Sequence, residues 1–176
     1  MKTKFFFQIF GLFVLVIVFG CEKNEDYIDD SNSKVELYLI DSYSRIANSC
    51  QIDENTVIAE NSPLIYYSDF LSYDPKEYLF ELSERAIEAI KDLEHSVYGL
   101  AFAVKANDTL IYTGYFWPSS SSASCNWTVI DPFTTYIGNK VQIRLGYPGL
   151  FQGQVIQDKR NDNRILGIFK QDNKLK

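Results

Sequence analysis

Histidine is almost missing from this chain of 176 residues, His95 being the only one. The commonest general base and metal ligand is therefore scarce. Cysteine is sparse too: there are three, and the sequence holds neither a CxxC nor an HxxxH pair. Metal-ligand spacing is absent, and no residue pattern asks for a metal or another cofactor. No serine stands in a GxSxG elbow, and the serines of residues 119–124 have no identifiable base, so nucleophilic catalysis lacks support. Carboxylates are plentiful, but an acid/base pair needs surroundings that separate two pKa values, which residue order does not display. Positive charge is in deficit, with 17 Lys and Arg against 23 Asp and Glu. That balance disfavours nucleic acid and anionic lipid as partners. No internal repeat is present, and no apolar run reaches the roughly 20 residues that span a bilayer.

What is present begins at the N-terminus. Lys2 and Lys4 precede an apolar stretch, residues 5–19, interrupted at Gln8 and Gly11 and closed by Gly20-Cys21. Charge, short apolar run and small residue are the layout of a secretory signal; the alternative is an uncleaved anchor. Val18-Phe19-Gly20-Cys21 resembles the lipobox of bacterial lipoproteins, with Phe19 standing where that family places a small residue. The resemblance implies that Cys21 is lipidated and becomes the mature N-terminus, holding the body outside the cytoplasm by a membrane-inserted lipid. Several acyl chains together make such attachment stable.

Residues 21–34 carry Glu22, Glu25, Asp26, Asp29 and Asp30 and little that is apolar beyond Tyr27 and Ile28. Such a segment cannot bury enough surface to offset its ordering entropy and is expected to be a flexible tether. Its start, CEKNEDYIDD, resembles the acidic export tag of some Gram-negative lipoproteins, which implies an outer-membrane, surface-exposed location. The other reading is a solvated linker. The expected organisation is a signal peptide over residues 1–20, the lipidated cysteine and tether over 21–34, and a single domain over 35–176.

Within the domain, residues 35–40, 56–59, 64–67 and 78–82 read as strands, with a turn at Tyr73-Asp74-Pro75-Lys76. Ser83 is a good N-cap for an amphipathic helix. Leu82 and Ile87 can staple its entry, and Ala86, Ile87, Ile90 and Leu93 form its apolar stripe. His95 falls at the expected end of that helix, where its charge would suit the dipole. Residues 100–106 and 109–117 flank Asn107-Asp108, both of which tolerate the positive φ of a two-residue hairpin turn. Leu100, Phe102 and Val104 alternate with Ala101, Ala103 and Lys105, so a central strand is expected there. Tyr112 and Phe116 are expected to share a face with Leu110, and Tyr115 and Trp117 with Ile111 and Thr113. Residues 127–130 and 141–145 are further strands, and Asn161 or Asp162 can cap a short last helix. The fold class is therefore α+β: a mainly antiparallel sheet, one amphipathic helix packed on a face and a short C-terminal helix. The strand, helix and hairpin of residues 78–113 resemble a periplasmic head segment of protein-export subunits, and the domain resembles those carried by bacterial lipoproteins. Neither resemblance implies an activity.

With Cys21 lipidated, Cys50 and Cys125 remain as an even pair in an oxidising compartment, which points to a disulfide; two separate buried thiols are the other reading. The aromatic-rich end of the hairpin and the serine loop after it hold the candidate binding residues Trp117, Ser119, Ser120, Asn126 and Trp127. Aromatic faces rimmed by hydroxyl and amide groups suit a glycan or a protein partner, and a buried core would use the same aromatics. Asp108-Thr109-Leu110 also resembles a short acceptor of bacterial periplasmic O-glycosylation. Function is expected to be that of a lipid-anchored, non-catalytic binding module at the cell surface. The alternative is a hydrolase using the serine loop.

Overall fold

A computed structural model describes residues 33–176. The expected signal peptide, Cys21 and the expected tether up to Asn32 lie outside the described residues. In chain order the elements are β1 (Val35–Arg45), β2 (Ile52–Ala59), β3 (Phe70–Asp74), β4 (Leu79–Leu82), α1 (Glu84–Lys91), β5 (Leu100–Ala106), β6 (Thr109–Phe116), β7 (Cys125–Ile130), β8 (Lys140–Tyr147) and α2 (Asn163–Gln171). The strands form one eight-stranded sheet in the order β2-β1-β5-β6-β7-β8-β4-β3. Every neighbouring pair is antiparallel except β6 and β7. The α+β class holds, with the sheet dominant.

The hairpin forms for the reason its turn suggests. Asn107 and Asp108 sit at φ 49° and 63°, and Ala106 pairs with Thr109 across them. Strand β5 is central, between β1 and β6. Phe102 and Val104 enter the larger core, while Ala101 and Ala103 enter a second one on the opposite face. A bulge between the Val104–Tyr112 and Lys105–Leu110 pairs corrects the expected faces of β6. The extra residue, Ile111, reverses the alternation: Leu110 sides with Tyr115 and Trp117, and Ile111 joins Tyr112 and Phe116. Gly114 is required where β5, β6 and β7 meet, because a Cβ there would stand 2.5 Å from the Phe102 ring and 2.7 Å from the Thr128 carbonyl oxygen.

The main core brings Val35 and Leu37 of β1 together with Phe70, Tyr73, Phe80 and Leu82 of the far strands, and both helices cover it. Ser83 Oγ accepts from the Ala86 amide at 3.2 Å, capping α1. The same hydroxyl donates to Asp69 at 2.7 Å, tying the cap to the turn before β3. Ala86, Ile87 and Ile90 are buried beneath α1, and Ile165, Ile168 and Phe169 beneath α2. Asp162 caps α2 by accepting from the Arg164 amide at 3.0 Å.

Three further expectations need correcting. Residues 64–67 are not a strand: Ile65 makes a single bridge to Leu37, and a 3-10 turn follows at Tyr67–Asp69. The edge strand lies just beyond, at Phe70–Asp74, so Tyr73 is a fully buried strand residue rather than part of the turn. Helix α1 ends at Lys91 with Asp92 as its C-cap, which leaves His95 outside the helix.

The second core explains the length of β1. Its first half pairs with β5, and its second half pairs with β2 through two register shifts. These shifts carry the β1–β2 ribbon over the sheet. Ile40 and Ile52, with Tyr43 and Val57 beside them, pack on Ala101, Ala103, Tyr115 and Trp117.

Candidate functional site

The ribbon's tip is residues 46–51. The Ile46 amide donates to Gln51 O at 2.9 Å, and the Ser49 amide donates to Ile46 O at 3.1 Å. Asn48 takes φ 58° at the reversal, a conformation Asn tolerates better than most residues. The tip is fixed to β7 twice. Cys50 and Cys125 form a disulfide with Cα atoms 5.7 Å apart. Asn126 Oδ1 accepts from the Cys50 amide at 2.9 Å and from Ser49 Oγ at 3.0 Å.

The serine loop has a topological cause. Strands β6 and β7 are parallel, so residues 117–124 must carry the chain back along the sheet. Such returns usually need a dozen residues or more. Eight suffice here because only Tyr115–Val129 and Phe116–Ile130 pair. At ~3.3 Å per residue the loop reaches about 26 Å, so small residues that turn freely are favoured. The Ser121 amide donates to Pro118 O at 2.9 Å, and Ser121 Oγ donates to Val97 O at 2.6 Å. Ser119 and Ser120 lie exposed on that turn.

Between the ribbon tip, the end of the serine loop and the 148–154 loop lies a cleft of about 620 Å³. Its walls include Arg45, Ile46, Asn48, Ser49, Trp117, Ser124 and Asn126, with Tyr98 and Phe151 at the rim. Phe151 and Gln154 hold each other through the Gln154 amide to Phe151 O at 3.0 Å and the Phe151 amide to Gln154 Oε1 at 3.1 Å. Tyr98 is 63% exposed and Phe151 54%, an amount that suits a partner on their faces. Arg45 places its guanidinium 5.4 Å from the centroid of the Tyr115 ring, whose phenol burial pushes up.

The candidate binding residues thus separate. Trp117 and Asn126 line the cleft; Ser119, Ser120 and Trp127 are not among its lining residues. Trp117 is 2% exposed, a wall rather than an open face, and its Nε1 has no hydrogen-bond partner. Trp127 donates from Nε1 to Thr113 Oγ1 at 2.9 Å, so its polar atom serves the second core. Sequence reasoning passed over Arg45, Tyr98 and Phe151. The one available signal was the Gly146-Tyr147-Pro148-Gly149 break, which places an aromatic in an irregular loop.

His95 packs edge-on against Phe133 at 5.7 Å, and neither ring nitrogen has a hydrogen-bond partner. Desolvation lowers its pKa, against a weaker pull upward from Asp131. It therefore activates no serine in this arrangement. Among the described residues no cluster of three or more His, Cys, Asp or Glu could hold a metal ion. Among them, too, no helix is long and apolar enough to cross a membrane. No family model, curated protein or solved structure matches the chain.

Proposed function

We propose that the chain is a lipid-anchored envelope protein of the outer membrane, non-catalytic, whose body binds a glycan in the cleft between the ribbon tip and the 148–154 loop. The observation that carries this reading is the pairing of two exposed aromatics, Tyr98 and Phe151, with the amides of Gln154 beside Phe151 and of Asn48 and Asn126 on the wall held by a disulfide. Aromatic faces stack on the C–H face of a sugar ring, and side-chain amides donate to and accept from its hydroxyls. Clamping the wall to β7 lowers the entropy lost when a ligand binds. The cleft volume of about 620 Å³ is within the usual range for small-ligand sites, roughly 300–1,000 Å³.

Two experiments test the two halves of this reading. Cys21→Ser should move the protein from the membrane fraction to the soluble fraction; a variant that still pellets fully after detergent-free washing would disprove lipid anchoring. For the cleft, an array of oligosaccharides should retain the protein, with the joint Tyr98→Ala and Phe151→Ala variant losing retention while keeping its thermal midpoint. Equal retention by the variant would remove the cleft from the reading.

A further inference from the structure

The charge of the cleft narrows the ligand. Around it stands an acidic protein, formal charge −6, yet no lining residue is a carboxylate and Arg45 is the single charged one. Among the described residues Arg45 enters no ion pair. Its Nη2 donates to the Tyr43 hydroxyl at 3.5 Å. The Tyr115 ring face, 5.4 Å away, holds the guanidinium, and its Nε and Nη1 donors have no protein partner among the described residues. A guanidinium held by an aromatic face and not neutralised by a carboxylate is matched by a planar anion that can take two parallel N–H···O bonds. Phosphate is also met by such a fork, but it is usually bound with several cations or backbone amides, and here one arginine stands alone.

We infer that the cleft takes an acidic oligosaccharide, one whose uronate- or sialate-type carboxylate is read by Arg45 while Tyr98 and Phe151 stack on neighbouring rings. This rests on the glycan reading above and adds the ligand's charge. Discrimination comes from the charge-assisted bonds that Arg45 makes with the acid and that a neutral sugar on the same rings does not form.

The test uses the full chain in detergent micelles and titration calorimetry with four probes: trigalacturonate, 3′-sialyllactose, and their neutral counterparts, α-linked galactotriose and lactose. At least one acidic probe should bind about tenfold tighter than its neutral counterpart. That preference should weaken as salt rises from about 0.05 to 0.5 M, with neutral binding unchanged. Arg45→Gln should abolish the preference, and Phe151→Ala should weaken acidic and neutral probes alike. Near-UV circular dichroism checks that both variants keep the fold. Equal affinity for acidic and neutral probes, unchanged in Arg45→Gln, overturns the inference and leaves the glycan reading standing. Binding by none of the four, or binding only by a peptide with a free C-terminal carboxylate, overturns both.

Discussion

At the scale of single residues, the two side chains with the most chemical promise turn out to serve the fold. His95 has both ring nitrogens buried without partners, so the fold favours its neutral form. The unfolded chain then binds the proton more readily, near the ordinary value of 6.5. Stability is complete above that pH and falls as pH drops below it, until the lowered folded value is reached. The depressed carboxyl of Asp69, held chiefly by Arg85, behaves in the opposite sense. Its contribution is present above about pH 4 and lost below, so it does not enter the histidine window. The thermal midpoint should therefore drop between about pH 7.5 and 5.5, and His95→Gln should remove most of that slope. An unchanged slope in the variant would mean that the ring is hydrated. Trp127 gives the second case. Thr113 is fully buried and its hydroxyl accepts from the indole, so Trp127→Phe leaves a buried polar group unpaired. A loss of about 1–3 kcal/mol in urea unfolding is expected, with no change in saccharide affinity.

The elements were legible where local chemistry decides them. The Asn-Asp turn, the Ser83 cap, the Asp162 cap and the apolar alternation of β5 each stand where the residues put them. The bulge at Ile111 and the parallel pairing of β6 with β7 were not, because both depend on neighbours far along the chain. The same holds for the cleft. Asn126 was visible as a candidate, but Arg45, Tyr98 and Phe151 come from three separated segments that only the bending of the β1–β2 ribbon brings together. That bend is secured by the disulfide, whose partners are 75 residues apart. On the chain-entropy model such a closure stabilises by up to about 4 kcal/mol. The joint Cys50→Ala and Cys125→Ala variant should unfold at lower denaturant, and a reductant should shift the native protein to the same midpoint without shifting the variant. Ribbon and cleft should loosen together, seen as faster amide exchange across residues 46–51; exchange that stays slow would show that Asn126 alone holds the tip.

For the whole molecule, the two ends of the sheet are treated differently. The outer edge of β2 has no neighbour within the sheet order, whereas β3 is covered by the last residues of the chain. The Tyr73 amide donates to Lys174 O at 2.8 Å, and the Lys176 amide donates to Tyr73 O at 2.9 Å. Leu175 packs against the main core as it passes. Deleting residues 174–176 opens this edge, unpairs both backbone groups of Tyr73 and strips the apolar cover that Leu175 gives the main core. A loss of about 2–4 kcal/mol is expected, measured by thermal unfolding with light scattering to register aggregation. A midpoint within a degree of the parent would show that the tail is dispensable. The covered edge also dates the folding event. Helix α2 and Leu175 complete a core begun by Val35 and Leu37, so that core closes only when both ends of the domain are in place. Without α2, Phe70, Tyr73 and Phe80 lose the Phe169 ring that packs on all three, and the far half of the sheet is left with an open apolar face.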